Sequence, residues 1–206
     1  SDKNICVLSG PSFAKEVALG LPFAMTCASK EIEKARRVAT FLSGGGFRIY
    51  ASDDPLGVEV AGAMKNVLAI ASGVCDGMNL GHNARASLIT RGLAETARLG
   101  IALGANPKTF IGLASLGDLV LTTTGNLSRN RKVGIEIAAG KQIDQILSEL
   151  GHVAEGVFSA PKLLKLGKSM NVALPITSGV CSLLEGSKSF QEVLGELLSR
   201  NQSDEI

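Results

Sequence analysis

The chain has 206 residues, of which 45% are hydrophobic and 19% are charged. This composition supports a buried core and excludes a disordered chain, and the length allows one large domain or two modest ones. A formal net charge of +2, with no Trp and one Tyr, argues against a nucleic-acid surface built on basic patches or stacked bases. No apolar run is expected to reach membrane-spanning length.

The first fifty residues predict a small mixed α/β unit. Three apolar runs predict strands: residues 5–8, 23–27 and 47–50. Apolar residues at helical spacing predict a helix over 31–43, which the glycines at 44–46 end. Strand, helix and strand in this order indicate part of a sheet covered by helices, and three strands alone would leave that sheet without its edge partners.

After Ser52 the predicted elements are all helices. Asp54 and Pro55 form a helix start, with an Asp cap and a Pro in the first turn, and the long apolar helix that follows runs to about residue 76. Further helices are predicted at about 84–103, from residue 106 onward, and at 115–122, 129–139, 143–150, 156–169, 175–186 and 189–199. We therefore divide the chain into a partial α/β unit at 1–52 and an all-helical domain at 53–206.

The cysteines predict thiols rather than a metal site. Cys6, Cys27, Cys75 and Cys181 are far apart and contain no C-x-x-C pair, and only two His accompany them. We therefore expect no metal. Scattered cysteines among apolar neighbours instead indicate reduced thiols in the core of a cytosolic protein.

Lys65 lies inside the most apolar predicted helix. Small and polar residues share one stripe of that helix: Glu59, Gly62, Lys65, Asn66, Ala69, Ser72 and Asp76. Such a stripe lets another group come close to the helix backbone. The lysine has two interpretations, a side chain that snorkels to the surface or a proton donor and acceptor held in an apolar setting.

Asp118 is a second candidate, because it stands between apolar residues at 116–121 (LGDLVL). Asp118 and Thr122, four residues apart, share a helix face. The segment either caps a helix near Gly117 or directs a carboxylate at the lysine or at a substrate hydroxyl.

The segment 126–131 (NLSRNR) is a candidate anion site. Ser128 is a natural helix cap, so the N–H groups that follow it would point out of a helix start, beside two arginines and an amide. The alternative is an exposed, solvated basic turn. The predicted strand end with Gly10 and Ser12 is a further place where ligands of open α/β sheets bind, although turns of this kind are common.

Six segments in order resemble bacterial NAD(P)-dependent glycerol-3-phosphate dehydrogenases over nearly the whole chain. They are 8–18 (LSGPSFAKEVA), 62–67 (GAMKNV), 83–86 (NARA), 116–119 (LGDL), 126–131 (NLSRNR) and 153–156 (VAEG). The resemblance implies an N-terminal Rossmann domain followed by a helical domain of the 6-phosphogluconate dehydrogenase type. The fold class expected for this chain is therefore mainly α, an all-helical C-terminal domain preceded by a partial α/β unit.

The resemblance also implies an activity and a set of site residues. The activity is reduction of dihydroxyacetone phosphate to sn-glycerol 3-phosphate with NADPH or NADH, for phospholipid synthesis in the cytosol. Lys65 would be the catalytic proton donor in reduction. Substrate contacts would be Gly10, Ser12, Lys65, Asp118, Ser128, Arg129 and Asn130. Cofactor contacts would be Ala14, Arg129, Val153 and Glu155.

The chain departs from that family in one large respect, the absence of a G-x-G-x-x-G dinucleotide motif. The glycines at 44–46 follow a helix and precede a strand, which is the wrong order for it. We therefore expect 1–52 to be the remnant of a Rossmann domain, and the fragment alone to be inactive and to bind NADP or NAD only weakly.

Two alternatives to this function stay open. The first is a related dehydrogenase of another phosphorylated or carboxylated hydroxy compound, because a shared fold does not determine a substrate. The second is a non-catalytic binding or dimerisation module. The expected partner is a small phosphorylated substrate, with neither nucleic acid nor integral membrane association, and a homodimer is plausible for the family.

Overall fold

The computed structural model describes residues 5–200. Its N-terminal part consists of β1 (Val7–Ser9), α1 (Ala14–Ala18), β2 (Phe23–Ala28), α2 (Ile32–Leu42) and β3 (Phe47–Ser52). The strands form one sheet in the order β1-β2-β3, in which β1 and β2 are antiparallel and β2 and β3 are parallel. Helix α2 connects the parallel pair, as a parallel connection requires.

The rest of the described chain is helical. Its α-helices are α3 (Pro55–Gly77), α4 (Gly81–Ala102), α5 (Asp118–Thr124), α6 (Arg129–Ala138), α7 (Ile143–Leu150), α8 (Glu155–Ser169), α9 (Pro175–Leu184) and α10 (Phe190–Leu198). A 3₁₀ turn (Pro107–Ile111) and a π turn (Leu113–Gly117) connect α4 to α5. The expected fold class, mainly α with a small α/β unit in front, is confirmed.

Helix α3 is the centre of the helical part, and α4, α5, α6, α8 and α9 all pack against it. It begins where the sequence predicts, because Asp54 Oδ1 accepts the N–H of Gly57 at 2.9 Å. The other oxygen of Asp54 accepts the hydroxyl of Thr109 at 2.6 Å, which ties the 3₁₀ turn to this helix start. Side chains such as Met64 and Ile70 are fully buried and form the main core.

The expectation that no apolar run reaches membrane-spanning length is wrong. By length and composition, α3 is long and apolar enough to cross a membrane. Its neighbours bury 67% of that apolar stretch inside the fold, so the same composition is that of a core helix.

Helices α3 and α6 touch backbone to backbone at Gly73 and Gly134. A Cβ on Gly134 would lie 2.0 Å from the carbonyl oxygen of Ile70, and one on Gly73 would lie 2.0 Å from that of Arg131. Only glycine fits at either position. This close crossing places the N-terminus of α6 beside the polar stripe of α3.

Several predicted elements differ in detail from the structure. The five-residue helix α1 was not predicted, and the segment from residue 106 forms only a 3₁₀ turn. The helix predicted at 115–122 divides into a π turn and then α5, which begins at Asp118. All four cysteines are free, with Cys27 and Cys181 buried and the other two half-buried. Within residues 5–200, no three metal-ligating side chains lie together.

Candidate active site

Lys65 and Asp118 form an ion pair on the wall of a cleft. Lys65 Nζ lies 2.5 Å from Asp118 Oδ2, and the side chains are 23% and 4% exposed. Thr122 Oγ1 donates to the other carboxylate oxygen at 3.2 Å, so Asp118 is held from two sides. The structure thus favours the second interpretation of Lys65, because a buried carboxylate keeps its ammonium group at the cleft.

The start of α5 determines the direction of this carboxylate. The π turn Leu113–Gly117 runs directly into α5, and Asp118 is the first residue of the new helix. Its side chain makes no capping bond and reaches α3, across 53 residues of sequence. The interpretation of Asp118 as a carboxylate directed at the lysine is confirmed, as is the shared face with Thr122.

The N-terminus of α6 forms a second part of the cleft wall. Ser128 caps the helix by accepting the N–H of Arg131 at 3.2 Å, as its position in the sequence predicts. Asn126, Leu127 and Arg129 are exposed, but Ser128 and Asn130 are buried, so the segment is not the fully solvated turn of the alternative. The guanidinium of Arg131 is paired with Asp76 at 2.8 Å, whereas Arg129 is exposed and forms no ion pair within the described chain.

This helix start is suited to an anion. The positive end of the helix dipole, the outward N–H groups of the first turn and the unpaired Arg129 all favour negative charge at one place. A phosphate bound there would lie in the same cleft as the ammonium group of Lys65.

The loop between β1 and α1 closes the cleft on a third side. Ser12 Oγ donates to the carbonyl of Gly10 at 3.0 Å. Gly10 has φ +149°, and a Cβ there would lie 2.9 Å from the Cα of Met25, so the loop requires glycine. The whole cleft has a volume of about 240 Å³ and is lined by Gly10, Ser12, Phe13, Lys65, Asn66, Asp118, Leu121, Thr122, Leu127, Ser128, Arg129, Asn130 and Glu155.

The structure brings together most of the predicted site residues, with two exceptions. Ala14 and Val153 do not line the cleft. Ala14 begins α1 directly after Phe13, and Val153 is 60% exposed at a position two residues before Glu155. Both residues therefore lie next to cleft residues rather than in the cleft.

Asn66 lines the cleft although its sequence pattern marks it only as a member of the polar stripe. Its side chain hydrogen-bonds both Glu155, at 3.0 Å, and Asn130, at 2.9 Å. The available signal is its place beside Lys65 on the helix. The two partners lie 89 and 64 residues away, so nothing local indicates them.

Comparison with known proteins identifies the family of the chain. The family description "NAD-dependent glycerol-3-phosphate dehydrogenase C-terminus" matches residues 54–195, and the corresponding N-terminus description matches residues 1–35. The chain belongs to the NAD-dependent glycerol-3-phosphate dehydrogenase family. The resemblance seen in the six sequence segments is therefore confirmed.

Individual members of the family are similar over nearly the whole chain. Proteins named glycerol-3-phosphate dehydrogenase [NAD(P)+] from Thiobacillus denitrificans and Nitrosospira multiformis are 55% and 53% identical, each over 97% of this chain. The crystal structure of glycerol-3-phosphate dehydrogenase from Coxiella burnetii has a TM-score of 0.90 at 42% identity and covers 95% of this chain. The match spans only 61% of the Thiobacillus protein, 60% of the Nitrosospira protein and 60% of the Coxiella chain.

The cleft that contains Lys65 and Arg129 is not the largest cavity of the described chain. A groove of about 790 Å³ between α3, α4, α9 and α10 is lined mainly by apolar side chains, and a cavity of about 550 Å³ lies beside the sheet. Neither contains Lys65 or Arg129. The larger groove and the cavity beside the sheet also have charged residues at their walls, but of these three cavities the smaller cleft alone is lined mainly by polar groups.

Glu95, at the edge of the large groove, has a structural partner. Its carboxylate accepts the N–H groups of Ile176 and Thr177, each at 2.9 Å, and the Thr177 hydroxyl at 2.6 Å, so it caps α9. Burial raises the pKa of Glu95, although the hydrogen bonds from Thr177 act against this. Its acceptor capacity is used by the helix start, which explains a fully buried carboxyl group.

Proposed function

We propose that the protein containing this chain interconverts dihydroxyacetone phosphate and sn-glycerol 3-phosphate by hydride transfer with NADPH or NADH. One observation carries the proposal. The Lys65 ammonium, held by a buried carboxylate, shares a small cleft with the N-terminus of α6, where the helix dipole and Arg129 favour an anion. A ketone with a phosphate group three atoms away matches those two features together.

The anion site would orient the substrate. Arg129 and the first turn of α6 would hold the phosphate, with Ser128 and Asn130 beside them. Gly10 and Ser12, in the loop between β1 and α1, would contact the substrate from a third side, and the carbonyl oxygen would then face Lys65. Holding the reacting group in one orientation removes much of the entropic part of a barrier.

Lys65 would supply the proton. The cofactor, when bound, supplies the hydride that adds to the carbonyl carbon. Negative charge then develops on the carbonyl oxygen, where the ammonium stabilises it and donates one proton to complete the alcohol. In the oxidation direction the same nitrogen accepts that proton. Asp118 keeps the nitrogen in place through the ion pair.

The cleft fits only the reacting end of the cofactor. Its volume of about 240 Å³ holds a three-carbon phosphate and a nicotinamide ring but not a dinucleotide. Among the described residues, Glu155 Oε1 receives no hydrogen bond, so this exposed residue offers an acceptor to the cofactor. We assign cofactor contacts to Ala14, Arg129, Val153 and Glu155, and propose a cytosolic homodimer that feeds phospholipid synthesis.

The activity can be tested in a chimera. In it, the 200 matched residues of the Thiobacillus denitrificans protein are replaced by this chain. We expect the chimera to oxidise NADPH when dihydroxyacetone phosphate is added, and the 206-residue chain alone to show no such activity. A panel of other phosphorylated and carboxylated ketones measures specificity. No turnover of dihydroxyacetone phosphate by a folded chimera would contradict the proposal.

Lys65 has two informative substitutions. Lys65→Ala should lower kcat by about 10²–10⁴-fold, the usual contribution of a positioned proton donor. Lys65→Arg keeps the positive charge beside Asp118 but cannot release a proton, so it should fold normally and also lose turnover. Lys165→Ala, on an exposed part of α8, is the matched control and should retain full activity. Turnover by Lys65→Ala within twofold of the parent would remove Lys65 from this role.

A further inference from the structure

A directed chain of hydrogen bonds crosses the back of the cleft. It starts at the N–H of Gly156, which donates to Asn130 Oδ1 at 2.9 Å. Asn130 Nδ2 donates to Asn66 Oδ1 at 2.9 Å, and Asn66 Nδ2 donates to Glu155 Oε2 at 3.0 Å. This series of hydrogen bonds therefore begins and ends at the first two residues of α8, and it passes through α6 and α3.

The first donor determines the orientation of every amide that follows. A backbone N–H can only donate, so Asn130 must turn its oxygen toward Gly156 and its NH₂ group toward Asn66. Asn66 must then accept with its oxygen and present its own NH₂ group to Glu155. Asn66 and Asn130 are only 6% and 8% exposed, and turning over either amide would leave buried donors facing each other.

The fixed orientation of Asn66 also determines what the side chain at position 155, where the series of hydrogen bonds ends, can do. Because Asn66 always presents a donor, the side chain at position 155 must turn an acceptor inward. Glu155 Oε1, the oxygen not used by Asn66, has no hydrogen-bond partner among residues 5–200 and belongs to a residue that lines the cleft. We propose that Asn66 is a positioning residue that holds the side chain at position 155 so that Glu155 presents its free oxygen as an acceptor to the nicotinamide cofactor.

This inference rests on the proposed function, and the variant Glu155→Gln tests it. In Glu155→Gln, Asn66 would still demand an acceptor, so the introduced amide must turn its oxygen inward and its NH₂ group toward the cofactor. The NH₂ group of the glutamine would then face the group of the cofactor that donates to Glu155 in the parent, so that hydrogen bond would be lost. We expect KM for NADPH to rise about tenfold, the loss of roughly one hydrogen bond, with a much smaller change in KM for dihydroxyacetone phosphate.

The double variant Asn66→Asp with Glu155→Gln reverses the polarity of that contact and keeps the same formal charge. The introduced aspartate can still accept from Asn130. Its other oxygen loses the bond that Asn66 donates to the Gly62 carbonyl at 3.3 Å, and it now requires a donor from position 155. The glutamine must therefore turn over, with its NH₂ group inward and its oxygen toward the cofactor. KM for NADPH should return to within about threefold of the parent chimera, whereas Asn66→Asp alone sets two carboxylates together and should weaken both stability and NADPH binding.

The experiment measures KM and kcat of the chimera and its variants, and the Kd for NADPH by fluorescence titration without substrate, with thermal unfolding as a check that each is folded. The Kd for NADPH should follow the same order as KM. Recovery in the double variant supports the positioning role, since a merely structural asparagine would give two losses that add. Should the double variant not fold, Asn66→Ala replaces Asn66→Asp. It frees the glutamine to turn, so it should lower KM for NADPH in the Glu155→Gln background while raising it in the parent.

The outcomes separate the inference from the proposed function. An active parent whose folded double variant binds NADPH no better than Glu155→Gln overturns the inference alone. An unchanged KM for NADPH in Glu155→Gln, or a change confined to dihydroxyacetone phosphate, overturns it as well. A folded parent chimera without any turnover overturns the proposed function, and the inference with it.

Discussion

Gly134→Ala tests whether the contact between α3 and α6 determines the geometry of the cleft. The added Cβ would lie 2.0 Å from the carbonyl oxygen of Ile70 and 2.7 Å from the backbone nitrogen of Val74, where ordinary contact begins at 3.4 Å. Both clashing groups are backbone of a buried helix and cannot rotate away. The helices must therefore part by about 1.4 Å at this point.

The expected cost has two opposing parts. Overpacking of a core typically costs about 1–3 kcal/mol, and alanine gains about 1 kcal/mol over glycine as a helix former. Because the clash is with backbone, we expect a net loss of about 2 kcal/mol in the free energy of unfolding. Parting the helices also moves the N-terminus of α6, with Arg129, away from Lys65. A misplacement of about 1 Å can lower turnover about 100-fold.

Urea unfolding of the chain measures the loss in the free energy of unfolding, and kinetics of the chimera measure the fall in turnover. The matched control is Gly195→Ala in α10, where an added Cβ meets nothing within 4 Å. That change should leave turnover unaffected and raise the free energy of unfolding by about 0.5–1 kcal/mol through helix propensity. A urea midpoint for Gly134→Ala at or above that of the wild type would refute the close-contact argument.

Two further predictions concern the helix cap and the buried thiols. Ser128→Ala should cost about 1 kcal/mol in unfolding free energy, whereas Ser128→Asp keeps a good cap but sets a negative charge at the anion site. Ser128→Asp should therefore stay as stable as the wild type while KM for dihydroxyacetone phosphate rises more than tenfold in the chimera; equal KM values would contradict an anion site there. Burial raises the pKa of Cys27 and Cys181 from 9.0 to about 11. Unfolded thiols thus ionise first, and the stability present below pH 9 should be lost as the pH rises toward 11. In urea unfolding at pH 8 and 10.5, Cys181→Ala should reduce that loss, and an identical loss would count against the buried-thiol explanation.

Local signals in the sequence predicted the helix starts well. Asp54 and Ser128 are caps whose partners lie three residues away. The hydrogen bond that begins each helix therefore depends on residues close together in the sequence. The same is true of the shared face of Asp118 and Thr122. The π turn before Asp118 was not predicted, because its widened backbone has no distinct residue pattern.

The composition of α3 was ambiguous in a different way. Its apolar residues suit both a core helix and a membrane span, and only its packing neighbours distinguish the two. The same holds for Gly73 and Gly134, which look like ordinary helix-weakening glycines until the two backbones are seen in contact.

By itself the sequence determined most of the helices, the three strands and the segments that carry chemistry, because capping, periodicity and turn formation act over a few residues. Which polar groups meet was decided only by the tertiary structure. Lys65 reaches Asp118 across 53 residues, and Asn66 reaches Glu155 across 89. Those contacts depend on how α3 packs against α5, α6 and α8, and a pattern confined to one helix contains no information about the direction of that packing.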